Sequence, residues 1–190
     1  MLKPILEADR LLFRLLNQEW TNSWMDLVMP FLRNQFTWVP LYLFLLAFVA
    51  LNFGKRAMAW CLFFLVTFAI TDLISTQVLK ALVQRPRPCW DPLTASTARM
   101  LIPCSHAYSF VSSHAANHFG MAMFLFQTMK QFGKPWIALA FVWALLVTYG
   151  QVYTGAHFPV DVAGGALLGL LVGKWTARLY QRQFGGLLVL

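Results

Sequence analysis

Five long apolar stretches constrain the fold of this chain more than any other feature. They cover residues 37–53, 57–79, 113–130, 135–153 and 160–180. A helix of about 20 apolar residues crosses a bilayer, so each stretch is long enough to be a span. Only 12% of the 190 residues are charged, about half of the fraction usual in soluble domains. The sequence therefore predicts an all-α, polytopic membrane bundle of five to six transmembrane helices, forming one domain over residues 1–190.

The first 34 residues differ from these stretches. Residues 4–19 alternate apolar and charged side chains at helical spacing, which is typical of an amphipathic helix lying in the membrane interface. Residues 22–34 are short and are interrupted by Asp26 and Pro30. The sequence leaves open whether this second segment is another interfacial helix or a weak sixth span.

Basic residues indicate the orientation. Three short segments between or after the spans carry Lys55 and Arg56, Lys130 and Lys134, and Lys174, Arg178 and Arg182. Positive residues near span ends favour the cytoplasmic side. We therefore expect a multi-pass protein of the bacterial inner membrane, with these segments in the cytoplasm.

A second basic group falls on the opposite side, where the positive-inside rule disfavours it. It comprises Lys80, Arg85, Arg87 and Arg99. Cations kept in such a place predict a binding site for an anion, although simple decoration of a loop is the alternative.

The segment over residues 81–111 is the longest outside the membrane, and we expect it in the periplasm. It contains Cys89 and Cys104. A disulfide between them would stabilise the fold by about 3 kcal/mol and is compatible with an oxidising compartment. Spacing alone does not establish the pairing.

Three polar patches bear on chemistry, and the first is "KALVQRPRP" at residues 80–88. If the helix persists, Lys80 and Arg87 lie about two turns apart on one face. Arginine grips phosphate through paired hydrogen bonds. This patch, with Arg85, therefore predicts a phosphate site.

The second patch, "SSH", opens the span at residue 113. Ser112 and Ser113 occupy a predicted helix N-terminus, where free backbone N–H groups bind anions. His114 lies in the first turn and could transfer a proton. His114 and His118 could instead form a metal pair, but the sequence offers no third ligand at suitable spacing.

The third patch is "HFPVD" at residues 157–161. Pro159 suits the first turn of a helix, and Asp161 lies one turn beyond His157. A carboxylate there could accept the Nδ1–H of His157 and leave Nε2 free as a nucleophile. The alternative is a capping aspartate beside an interfacial histidine.

Together, "K-x6-RP", "SSH" and "H-x3-D" resemble the three-part signature of the type 2 phosphatidic acid phosphatase (PAP2) superfamily. The resemblance covers residues 80–165 in order and spacing. Two motifs depart from it. The family usually has Pro-Ser-Gly-His where this chain has Val111-Ser112-Ser113-His114, and Ser-Arg where it has Gly150-Gln151, so one phosphate-binding arginine is missing.

The resemblance implies a metal-independent phosphatase that needs no cofactor. It implies His157 as nucleophile, Asp161 as its orienting partner and His114 as general acid and base. The residues implied to bind phosphate are Lys80, Arg87, Ser112 and Ser113. Gln151 can donate hydrogen bonds but carries no charge, so Arg85 or another basic residue is expected to share the work of the missing arginine.

The predicted substrate is a lipid phosphate at the outer leaflet, with undecaprenyl diphosphate preferred and lipid A or phosphatidylglycerol phosphate as alternatives. Expected partners are this substrate and membrane lipids, with no nucleic acid and no obligatory protein partner. Three other classes compete: a non-catalytic protein that binds anionic lipid, a lipid transporter, and a metal-dependent hydrolase. Transporters usually show two symmetric halves, and no such symmetry is visible in the sequence.

Overall fold

The computed structural model describes residues 2–130 and 133–187, with the side chains of residues 2 and 134–137 outside the described part, and it is helical wherever it is regular. The helices are α1 (Leu2–Arg14), α2 (Ser23–Arg33), α3 (Val39–Asn52), α4 (Lys55–Leu73), α5 (Lys80–Val83), α6 (Ser113–Met129), α7 (Lys134–Tyr153) and α8 (Pro159–Phe184). Single π-helical segments, Leu15–Glu19 and Ile74–Leu79, extend α1 and join α4 to α5, and a 3-10 turn, Gln35–Trp38, precedes α3.

Three helical segments in the described part are long and apolar enough to cross a membrane: Gln35–Asn52, Lys55–Val83 and Pro159–Phe184. Their outward side chains are apolar, with Leu51 of α3 84% exposed and Leu62 of α4 59% exposed. Such exposure suits contact with lipid. Helices α6 and α7 pack against these segments, which confirms the predicted all-α membrane bundle.

Helix α2 resolves the question of a sixth span. It has 11 residues, which at 1.5 Å per residue give about 17 Å. The hydrocarbon core is about 30 Å thick, so α2 is too short to cross it. The helix packs against α7 instead.

Helix α6 is the centre of the bundle and lies closest to α8. The contact is made along three glycines of α8 that recur at intervals of four, Gly165, Gly169 and Gly173. Small residues at this spacing let two helices approach closely. A Cβ atom built at Gly165, Gly169 or Gly173 would lie 2.4, 2.3 or 2.2 Å from a backbone oxygen of α6, namely that of Ser112, Ala116 or Gly120. These glycines therefore bring the first turns of α6 and α8 side by side.

Aromatic packing fixes the other end of the bundle. Trp60 stacks on Phe64 at 5.3 Å between ring centroids and also contacts Phe124 of α6. The Nε1 of Trp60 donates a hydrogen bond of 2.8 Å to Thr128. These aromatic contacts lie towards the C-terminal end of α6. The N-terminal end, which carries His114, contacts polar residues.

The N-terminal segment packs over the connection between α5 and α6. The Asn17 side chain is fully buried, donates to the backbone oxygens of Arg99 and Tyr153, and accepts from the Arg99 amide, each at 2.8 Å. Arg10 forms an ion pair of 3.1 Å with Asp91. These contacts fasten α1 to the loop that the sequence predicts on the periplasmic side.

The same loop contains a disulfide. Cys89 and Cys104 are bonded, with their Cα atoms 6.3 Å apart. Replacing both with serine should lower the free energy of unfolding by about 3 kcal/mol, because the unfolded chain gains the freedom of a 15-residue loop.

The measurement is the midpoint of thermal unfolding in detergent. Cys61, a free cysteine in α4, supplies the control, and Cys61→Ser should leave the midpoint nearly unchanged. An equal loss in both variants would contradict a specific role of the disulfide.

Candidate active site

His157 lies in the short turn between α7 and α8. Its amide and that of Ala156 donate to the backbone oxygen of Gln151 at 3.2 and 3.0 Å. Gly155 has φ +84°, and a Cβ atom there would lie 2.8 Å from the backbone oxygen of Arg99, so only glycine fits this turn. The turn holds the His157 side chain 98% buried, its exposed fraction being 2%.

Asp161 lies in the first turn of helix α8, as the sequence predicts, and close to His157, but the two side chains are not hydrogen-bonded to each other. Its Oδ2 lies 3.7 Å from His157 Nδ1, which is too long for a hydrogen bond. The hydroxyl of Ser109 lies between them, 3.3 Å from Nδ1 and 2.5 Å from Oδ2. The expectation of a direct bond was therefore wrong, and Ser109 joins the two groups.

This arrangement defines the hydrogen-bonding roles. Asp161 accepts the Ser109 hydroxyl proton, so the Ser109 oxygen is free to accept Nδ1–H from His157. The Nε2 atom then keeps its lone pair. Burial lowers the pKa of His157 to about 4, so the imidazole is neutral at pH 7 and can act as a nucleophile.

Asp161 is held by further donors. The Phe158 amide donates to Oδ2 at 2.9 Å, and Arg85 donates to Oδ1 at 2.7 Å. Arg85 also pairs with Asp9 of α1 at 2.5 Å. Asp9 in turn accepts from the Val160 amide at 2.8 Å. The Asp161 carboxylate is therefore held by three groups: the Ser109 hydroxyl, the Phe158 amide and the Arg85 guanidinium.

Arg85 consequently does not occupy the place that the sequence suggested. It was expected to share phosphate binding, but its guanidinium lies between two carboxylates whose side chains are fully buried. Two negative charges neutralise it, so it acts on Asp161 and is not a free cation for a phosphate. Arg99 is likewise paired, with Asp26 at 2.6 and 2.8 Å.

Lys80 and Arg87 remain without a carboxylate partner within residues 2–130 and 133–187. The predicted helix does not persist between them: α5 ends at Val83, and Gln84 adopts a left-handed conformation with φ +50°. Arg87 is held instead by the backbone oxygens of Ala107 and Ala156, at 2.8 and 3.3 Å. Its charge, like that of Lys80, acts on His157.

The N-terminus of α6 lies beside these groups. Ser112 is the N-cap, which confirms the predicted helix start, and its hydroxyl accepts from the Ala115 amide at 3.4 Å. Its own amide donates to the Asp161 backbone oxygen at 3.0 Å. That bond places the start of α6 against the start of α8. The cap uses the Ser112 hydroxyl as an acceptor, so its O–H can still donate to the phosphate that it was expected to contact.

Ser113 and His114 are differently placed. Ser113 Oγ is buried and has no hydrogen-bond partner among the described residues. His114 lies within electrostatic reach of both Lys80 and His157, so the three polar patches meet at one site. A free hydroxyl, a free imidazole and unpaired cations there can surround a phosphoryl group.

His118 lies one turn further along α6 than His114, with the two rings 6.4 Å apart. Its Nδ1 bonds to the His114 backbone oxygen at 2.8 Å, and its ring packs on Trp143 at 4.6 Å. In the part of the chain that the structure describes, no third His, Cys, Asp or Glu joins these histidines in a metal-binding cluster.

An apolar cavity of about 280 Å³ reaches the site from between α3, α4 and α6. His114 and Asn117 form part of its wall. The apolar side chains of the wall include Phe36, Val39, Leu46, Phe64, Phe68 and Met121. Because α3 and α4 carry exposed apolar side chains, the cavity connects His114 with the lipid-facing surface.

Three residues of the site were missed by the sequence interpretation: Asp9, Arg33 and Ser109. Asp9 and Ser109 lie outside the recognisable motifs, and no local pattern marks them. Arg33 ends α2, and its Nε donates to Gln151 Oε1 at 3.2 Å. The only feature of the sequence that could have indicated Arg33 is that a basic residue ends a short helical segment.

The chain is similar over most of its length to membrane phosphatases. The chain is 29% identical over 191 residues to the lipid A 4'-phosphatase of Bacteroides thetaiotaomicron, covering 94% of this chain and 83% of the relative. It is 25% identical over 152 residues to the undecaprenyl-diphosphatase BcrC of Bacillus subtilis, covering 80% and 73%.

The fold has a solved counterpart in LpxE of Aquifex aeolicus. The two structures superpose with a TM-score of 0.70 and 27% identity, over 88% of this chain and 93% of the other. Residues 59–184 match the model of the PAP2 superfamily, and this range contains all three motifs. The chain therefore belongs to the PAP2 superfamily of membrane phosphatases.

Proposed function

We propose that this protein removes a phosphate group from lipid A. The cavity that joins His114 to the lipid-facing helices carries the assignment to a lipid, since an acyl chain can lie in it while the phosphate reaches His157. The lipid A 4'-phosphatase of Bacteroides thetaiotaomicron, similar over most of both chains, supports the choice of lipid.

The proposed reaction has two steps. The negative charge of the bound phosphate favours the protonated form of His114. His157 Nε2 attacks phosphorus, forming an N–P bond as the bond to the lipid oxygen breaks, and protonated His114 gives that oxygen its proton. In the second step His114 takes a proton from water as the water oxygen attacks phosphorus, the N–P bond to His157 breaks, and inorganic phosphate leaves. Ser109 and Asp161 orient His157 throughout.

Charge on the phosphoryl oxygens is stabilised by groups that the fold leaves free. Lys80 and Arg87 supply cations, and the first turn of α6 supplies backbone N–H groups. The unpaired Ser113 hydroxyl can donate one further hydrogen bond. Fixed cations do here what a metal ion does in other phosphatases, so the proposed reaction needs no metal.

We place the site at the periplasmic face of the inner membrane. The basic residues at the opposite ends of the spans, such as Arg56 and Arg178, support this orientation. The disulfide between Cys89 and Cys104 supports it as well, because such bonds persist in the periplasm.

Undecaprenyl diphosphate is the second candidate. The sequence interpretation preferred it, but the similarity to BcrC covers less of the chain at lower identity than the similarity to the lipid A 4'-phosphatase. We therefore place lipid A first.

The test is phosphate release by purified protein from lipid A, undecaprenyl diphosphate, phosphatidylglycerol phosphate and phosphatidic acid, with EDTA present throughout. We expect lipid A to be the best substrate by kcat/KM, with no loss in EDTA. A higher kcat/KM on undecaprenyl diphosphate would favour the second candidate. No release from any lipid would support a non-catalytic lipid-binding protein, and inhibition by EDTA would indicate a metal-dependent hydrolase.

A further inference from the structure

Arg33 is fastened to Gln151 by two hydrogen bonds. Its Nε donates to Gln151 Oε1 at 3.2 Å, and Gln151 Nε2 donates to the Arg33 backbone oxygen at 3.5 Å. Gln151 is fully buried. Both of its polar side-chain atoms therefore hold the end of α2 in place.

Gly150 makes room for this contact. A Cβ atom at Gly150 would lie 3.2 Å from Arg33 Cβ and 3.4 Å from the Met29 backbone oxygen. The α2 backbone could not lie so close to a larger residue without shifting. Gly150 therefore lets α2 pack closely, and Gln151 holds the Arg33 side chain by hydrogen bonding.

Arginines elsewhere on this side of the molecule are matched by carboxylates. The ion pairs are Arg10 with Asp91, Arg14 with Glu19, Arg85 with both Asp9 and Asp161, and Arg99 with Asp26. Arg33 and Arg87 have no such partner within the described ranges.

Arg33 and Arg87 nevertheless lie near each other. Burial, and then the charge of Arg87, lower the pKa of Arg33 to about 10, so both remain cations at pH 7. Arg33 also lies within electrostatic reach of His114. Two partly buried cations that repel each other beside a catalytic imidazole form a site that an anion would stabilise.

We propose that Arg33 binds the substrate phosphate across from Arg87, and that Gln151 positions it. This inference rests on the proposed phosphatase function and deepens it. The arginine that the PAP2 signature usually carries at the position of Gln151 is absent here, and α2 supplies a guanidinium at the same place from outside the three motifs. The short N-terminal helix is then part of the substrate site.

Arg33→Ala should lower kcat/KM for the lipid substrate about 100-fold, the loss typical of one transition-state donor. It should also raise the inhibition constant of inorganic phosphate at least tenfold, which a purely structural role would not do. The kcat/KM and the inhibition constant of Arg33→Lys should lie between those of the unmodified protein and those of Arg33→Ala, because lysine keeps the charge but lacks the planar guanidinium. Arg14→Ala is the matched control, since Arg14 pairs with Glu19 at the surface, and it should behave as the unmodified protein.

If Arg33 replaces the arginine that the family usually carries at position 151, an arginine placed at position 151 should take over its role. In the Arg33→Ala background, Gln151→Arg should recover at least tenfold in kcat/KM, and a folded double variant without recovery would overturn the relocation. Unchanged inhibition by phosphate in Arg33→Ala would overturn the proposal, whether or not activity falls. If Arg33→Ala fails to fold, the same inhibition constant measured on Arg33→Lys decides.

His157→Ala separates this inference from the function itself. An inactive His157→Ala protein beside a fully active Arg33→Ala protein would remove only the role of Arg33. A fully active His157→Ala protein would remove the proposed phosphatase mechanism as well.

Discussion

Replacing His157 with alanine should reduce phosphate release at least about 10⁴-fold, the scale on which loss of a nucleophile acts in other enzymes. The reason is structural: the Ser109 hydroxyl and the Asp161 carboxylate orient His157 Nδ1, and no other imidazole is held in this way among the described residues. The measurement is single-turnover phosphate release in detergent micelles or vesicles.

The control is His106→Ala. His106 lies in the loop between α5 and α6, is exposed and stacks on Trp90 at 5.0 Å, so its loss should change the rate less than twofold. The unmodified protein should also yield an acid-labile phosphoprotein when quenched during turnover, and the His157→Ala protein should not. Lipid binding that survives His157→Ala with full turnover would contradict a nucleophilic role.

Gly169→Ala should destabilise the packing of α6 on α8 and lower the activity. Its new methyl group would lie 2.3 Å from the Ala116 backbone oxygen and 2.7 Å from the Gly120 nitrogen, and neither backbone atom can move without separating α6 from α8. Overpacking of this kind costs about 1–3 kcal/mol and occasionally more, and rigid backbone on both sides places this site at the upper end. We expect a lower midpoint of thermal unfolding and lower activity, because α6 and α8 carry His114 and Asp161.

Leu167→Ala is the matched control on the same helix. Leu167 is 59% exposed, so its truncation should leave the midpoint and the activity nearly unchanged. A Gly169→Ala protein that unfolds at the same temperature as this control would show that the close approach of α6 and α8 is not required.

The sequence determined the class of fold and the family of the protein. Apolar stretches of span length leave a membrane bundle as the stable arrangement, because backbone polar groups must be satisfied within helices in lipid. Gly165, Gly169 and Gly173 recur at intervals of four in the sequence, a spacing that indicates a close helix contact in a membrane protein. The motifs around His114 and His157 indicated a phosphatase, since each motif is local and its residues keep a fixed spacing.

Only the tertiary structure decided which charges are free. Arg85 and Arg87 are two residues apart and look alike in the sequence, yet the first pairs with Asp9 and Asp161 while the second has no carboxylate partner within the described residues. Ser109 and Arg33 carry no motif and reach the site by long-range packing. Charge pairing depends on distances between side chains that lie far apart along the chain, and a local pattern contains no information about those distances.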